Sequence, residues 1–182
     1  MTLRNFIMKT IEDIKNSIPE FASDIQENFS LIIMNSSYDD KLIYGCAYAC
    51  SLSVGSKRFS KIFKNECKNK VSKDFVKSIR STVSIMSLYN IWYSYRDLMP
   101  SIDMKVSSKK MKISILDTYA GLDKILFESI ALCISSIKGY KFCIKSHSQL
   151  LLDSNQTKDY ILNIGRIASV IKAAITSIDI KN

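Results

Sequence analysis

Apolar residues recur at three- and four-residue spacing along almost the whole chain. That is the period of a helix face, not the alternation of a half-buried strand. Ile7, Ile11, Ile14 and Ile18 make one stripe, closed by Pro19, whose ring blocks continuation and turns the preceding residue extended. Pro19 also suits the first turn of a second helix carrying Phe21, Ile25, Phe29 and Ile32. Ser37, Asp39 and Asp40 offer caps for a third helix, roughly 39–55. Next comes an amphipathic helix to about Val71. Lys57, Lys61, Lys64 and Lys68 share one face of it, and Phe59, Ile62, Phe63, Cys67 and Val71 lie on or near the other. Ser72 caps a long helix to about Leu98, with Phe75, Ile79, Val83, Met86, Asn90 and Tyr93 along one side and Pro100 in the connector beyond.

The segment 107–116 reads as a short helix, and Asp117 and Gly121 mark a break. Residues 122–138 form a strongly apolar helix stopped by Gly139, a glycine in the usual position just past a helix end. A further helix runs from near Lys141 to near Asp153. The last runs from about Asn155 to Ser177, with Ile161, Ile164, Ala168 and Ile171 inward. The β-branched-rich stretch Leu31–Met34 is too isolated to form a sheet. The expectation is one all-α domain over residues 1–182, of about eight helices with short connectors.

Composition sharpens this. Only 5 Gly and 2 Pro occur in 182 residues, which argues against a turn-rich β-sandwich or barrel. No run of eighteen apolar residues stands out, so no membrane span is expected. The N-terminus lacks an apolar stretch followed by small residues, so no secretory signal is read. With 5 cysteines in no framework spacing, free thiols in a reducing cytoplasm are the expectation.

The formal charge of +9 is concentrated between Lys57 and Arg80, where nine basic residues meet only Glu66 and Asp74. Such a face is most simply a solvated lysine-rich surface, and it would suit an acidic protein partner. No helix-turn-helix or single-strand signature accompanies it, which argues against nucleic-acid binding.

His147 is the only histidine, four residues after Cys143. On a helix the two would sit one above the other, within hydrogen-bond reach. Cys143 would occupy the first turn, where unpaired amides and the helix dipole favour a thiolate, so its pKa is expected to be lowered. The pair is the minimum equipment for thiolate chemistry, although two core residues would give the same spacing. One histidine and scattered cysteines match no zinc spacing, and phosphate-loop and serine-elbow motifs are absent. Neither a metal nor an organic cofactor is expected. Glu128 stands in an apolar helix with Ile125, Leu132 and Ser135, where a carboxylate is costly unless paired. Cys46 and Cys50, four apart, read as buried core thiols more readily than as a redox pair. Trp92 with Tyr89, Tyr93 and Tyr95 reads as packing or a subunit interface.

The stretch Glu128–His147, E-S-I-A-L-C-I-S-S-I-K-G-Y-K-F-C-I-K-S-H, resembles the active-site segment of the alkyl hydroperoxide reductase D family, within the carboxymuconolactone decarboxylase-like superfamily. The family pattern is a glutamate, eleven residues, then C-x-x-C-x-x-x-H. Glu128, Cys143 and His147 match it. Tyr140 occupies the first-cysteine position, and Phe142 stands where the family often has another histidine. The opening I-E-D-I-K-N-S-I-P-E-F-A-S-D-I resembles the family's N-terminal helix pair, Asn90–Arg96 the end of its long helix, and Lys109–Ile115 the short helix before the site.

The resemblance implies an all-α subunit that commonly forms a trimer, reduces peroxides, and serves as reductant for a peroxiredoxin with electrons from a lipoyl-bearing dehydrogenase subunit. It assigns Cys143 as nucleophile, His147 as the group assisting deprotonation, and Glu128 as the carboxylate that orients the imidazole. Tyrosine cannot form a disulfide, so the two-sulfur cycle of the motif is lost. Three outcomes stay open: a one-cysteine peroxidase resolved by an external thiol, a substitute cysteine such as Cys133, or a catalytically degenerate oligomeric scaffold. Tyr140 could also donate its hydroxyl to the thiolate or shield the pocket.

Overall fold

A computed structural model describes residues 8–99, 111 and 114–181. Among them are eight α-helices of seven residues or more and no strand. Helix α1 (Ile11–Ser17) opens on a reciprocal cap: the Asp13 amide donates to Thr10 Oγ1 at 3.1 Å and the Thr10 amide donates to the Asp13 carboxylate at 2.9 Å. Ile14 and Ile18 of the first stripe are buried, and Ile7 lies outside the described residues.

The second helix departs from its expected form. Pro19 leads into one 3-10 turn (Glu20–Ala22), then α2 (Ser23–Phe29), then a π turn (Ser30–Met34). Phe21 is 67% exposed, and Ile33 rather than Ile32 is buried. A 3-10 turn winds tighter than 3.6 residues and a π turn wider, so a stripe of constant period drifts off the core at both ends.

Helix α3 (Asp40–Val54) is the central element: every residue from Leu42 to Ser51 is buried. Asp39 caps its start and Gly55, at φ 83°, its end. Gly45 lets its neighbours close in, since a Cβ there would lie 3.0 Å from the Phe75 ring and 3.5 Å from Ile79 and Ile130. Gly45→Val should therefore overpack the core and cost about 1–3 kcal/mol. The check is thermal unfolding, where the expected result is a melting temperature several degrees below wild type.

Helix α4 (Lys57–Lys70) buries Phe59, Ile62, Phe63 and Cys67 and exposes Lys57, Lys61, Lys64 and Lys68, as its pattern requires. Helix α5 (Lys73–Leu98) begins where Ser72 Oγ accepts from the Phe75 amide at 3.0 Å. The expected short helix at 107–116 falls largely outside the described residues. The chain then forms a short 3-10 segment, Leu116–Gly121, with Tyr119 and Ala120 in left-handed conformation. Helix α6 (Lys124–Lys138) follows, capped by Asp123 and buried throughout Leu126–Ser135. Helix α7 spans Lys141–Asp153 and helix α8 Lys158–Asp179. Helix α8 starts later than its apolar pattern implied, because Asn155 is left-handed and Thr157 takes the cap.

Helix α3 packs against α4, α5, α6 and α8, while α6 also contacts α5, α7 and α8. Their inner faces form one continuous core. Helix α8 is the one described helix long and apolar enough to cross a membrane, but 56% of that stretch is buried inside the fold. It packs against α3 and α6, as a core helix does.

Candidate active site

A sharp reversal at Gly139 builds the site. Its φ of 71° lets the Gly139 amide donate to Ser136 O and the Tyr140 amide to Ser135 O, both at 3.1 Å. This is the paired closure typical of a left-handed glycine after a helix. Helix α7 therefore folds back along α6. Tyr140 is its cap residue, half-buried and without a side-chain capping bond. Cys143 is its third residue, and His147 stands one turn further on.

Glu128 projects from α6 toward this turn. His147 Nδ1 and Glu128 Oε2 are 2.6 Å apart, with side chains 14% and 9% exposed. An ionised carboxylate only accepts, so Nδ1 carries the hydrogen and Nε2 is the ring atom left to take a proton. The buried carboxylate thus has the partner that burial demands.

Cys143, His147 and Glu128 line one cavity of about 270 Å³. Its other walls are mostly apolar: Met86, Tyr89 and Tyr93 from α5, Phe127 from α6, Phe142 from α7, and Leu116. Tyr89 stacks on Tyr93 at 5.2 Å, and Tyr93 on Phe142 at 5.6 Å. Three rings therefore form a continuous aromatic rim, with Arg96 over the Tyr93 ring at 5.3 Å. Phe142 supplies the ring at one end of this rim. Ser146 adds a polar group to the wall.

Two expectations are corrected. The imidazole bonds the carboxylate rather than the thiol, and among the described residues Cys143 has no hydrogen-bond partner. The thiol is also pushed up from its ordinary pKa, not lowered, because burial among apolar side chains disfavours the thiolate. Tyr89 and Tyr93, expected as packing or interface residues, stand in the site. Their place on the inward side of α5 with Met86 was the available signal. Trp92 stacks instead on Tyr95, at 6.0 Å. Cys133 faces away from the site: its sulfur meets Cys50, at 3.1 Å.

Comparison with known proteins supplies the remaining observation. No family model matches the chain. Proteins named alkyl hydroperoxide reductase AhpD align along nearly its whole length. The one from Brucella canis is 28% identical over 93% of this chain and 97% of its own length. Those from Streptomyces griseus and Methylocella silvestris are 26% and 25% identical, each over 93% of this chain and 95% of its own. Along nearly its whole length the chain is similar to the alkyl hydroperoxide reductase D proteins. The similarity runs along nearly the whole chain and is not confined to one motif, and in this fold the segment Glu128–His147 runs from within α6 through the Gly139 turn into α7.

Proposed function

We propose that this chain is a thiol-dependent alkyl hydroperoxide reductase that works with one cysteine, Cys143. The observation that carries the reading is the Glu128–His147 hydrogen bond on the wall of the same cavity that holds the Cys143 sulfur. His147 Nε2 takes the thiol proton. The thiolate attacks the nearer peroxide oxygen, the O–O bond breaks, and the proton passes to the departing alkoxide. The products are a sulfenic acid on Cys143 and an alcohol. Glu128 is a positioning residue: it holds the ring and balances the charge of the imidazolium. The aromatic rim favours a peroxide with an organic group over hydrogen peroxide, since apolar walls gain free energy only by covering apolar surface.

Tyr140 takes the first-cysteine position and cannot resolve the sulfenic acid. An external thiol does so, releasing water and leaving a mixed disulfide that a second thiol reduces. All five cysteines are free, in keeping with a reducing compartment such as the cytoplasm. A peroxiredoxin partner and a lipoyl-bearing dehydrogenase subunit are the proposed redox relay. Self-association, as a trimer, has support in Ile91, Tyr95 and Leu98, exposed along α5 at 63%, 51% and 83%.

The test is brief exposure to an organic hydroperoxide followed by a sulfenic-acid trap and peptide mapping. The expected adduct is on Cys143, and an unlabelled Cys143 in folded protein overturns the reading. Tyr140→Cys supplies the missing sulfur. That variant should form a bond between position 140 and Cys143 on peroxide treatment and lose the trap signal.

A further inference from the structure

The reaction proposed above uses one thiol of five. Three others, Cys46, Cys50 and Cys133, meet in the core where α3 packs on α6, each fully buried. Cys46 and Cys50 lie one turn apart on α3 and both face α6. The Cys50 and Cys133 sulfurs are 3.1 Å apart, and Cys46 reaches Ser129 O at 4.0 Å. The two sulfurs in closest contact come from residues 83 apart in sequence. They need to approach by only about 1 Å to reach the disulfide bond length of about 2.05 Å. Their chemistry is separate from the site, because Cys143 lines the cavity and these three do not.

We propose that Cys50 and Cys133 form an intramolecular disulfide under sustained exposure to hydrogen peroxide, tying α3 to α6. Peroxide first oxidises one thiol to a sulfenic acid and leaves as water. The second sulfur then attacks that sulfenic sulfur, the S–S bond forms, and a second water departs. Two thiols give up two hydrogens and two electrons, and one peroxide becomes two waters. Both thiols are fully buried and burial pushes the Cys133 thiol well up, so the step waits for local opening of the core and is far slower than reaction at the cavity. The bond therefore records accumulated exposure rather than a momentary pulse. It closes a long loop, restricts the unfolded chain, and fixes the helix that carries Glu128.

The test uses full-length Cys143→Ser, so that the outcome does not depend on the proposed catalytic thiol. The protein is held in hydrogen peroxide for hours, unreacted thiols are alkylated under denaturing conditions, and the digest is mapped by mass spectrometry. The expected results are a linked Cys50–Cys133 peptide, loss of those two free thiols, and a melting temperature raised by several degrees and restored by dithiothreitol. A Cys46–Cys133 link, sulfinic or sulfonic acid at Cys133, or three intact thiols after prolonged exposure each overturns the proposal. A chain that carries the link but melts no higher overturns the tie between the helices.

Discussion

Replacing Cys143 with serine is expected to reduce consumption of an organic hydroperoxide to the uncatalysed background while leaving the helical fold in place. A serine hydroxyl is a far weaker nucleophile and has no sulfenic state in which to hold the transferred oxygen. Cys143 is buried, so an unpartnered serine hydroxyl costs about 1–3 kcal/mol of stability. Cys143→Ala, which has no polar group to bury, separates that cost from chemistry. Both variants should melt as cooperatively as wild type, and neither should turn over. The check is peroxide disappearance with a small thiol as reductant. Turnover above background in either variant would assign the chemistry to another sulfur.

The second large effect is expected at His147, where alanine should slow the Cys143 reaction by about 10²–10⁴-fold at neutral pH, the usual worth of a positioned base. The pH profile gives the sharper reading. Burial raises the Cys143 pKa, so the resting thiol is protonated at neutral pH. Without a base only the equilibrium thiolate reacts, and its population rises about tenfold per pH unit until the thiol pKa is reached. His147→Ala should therefore climb steeply into the alkaline range and recover much of the wild-type rate there, whereas wild type should be flatter. Glu128→Gln keeps the shape of the carboxylate but removes its charge, and should show a smaller loss with the same sense of shift. Single-turnover rates across the pH range measure all three. A wild-type profile parallel to that of His147→Ala would leave the imidazole without a role as base.

The parts of the fold readable from sequence are those whose causes are local. Ser72 takes an amide three residues on, Gly139 adopts a left-handed turn, and α7 runs Lys141–Asp153 because its stops are written in neighbouring residues. The spacing of Glu128, Cys143 and His147 was legible for the same reason: two helices and one tight turn carry it. What was not legible depends on distant chain. The period of α5 says that Met86, Tyr89 and Tyr93 point inward, but not that Phe142 and the Cys143 cavity lie opposite. The direction of the thiol's pKa shift was misjudged because a helix start and a nearby imidazole can be read from sequence, whereas the aromatic walls that exclude water are tertiary. The second helix failed differently. Its 3-10 and π turns break the period on which reading an inward stripe relies, so Phe21 turned out exposed.

Helix α6 presents four polar or thiol side chains to four neighbouring helices: Glu128 to His147, Ser129 to Tyr160, Cys133 to Cys50, and Ser135 to Asn90. One inserted residue after Glu128 would rotate every later position by about 100° and break the last three pairings at once. In evolutionary terms α6 can exchange side chains one at a time but cannot change length. Gains and losses of residues within this lineage should therefore collect ahead of the helix, before Asp123, because the turn at Gly139 sets the spacing of Glu128 to Cys143 and His147, and drift in that helix should be confined to swaps of similar volume.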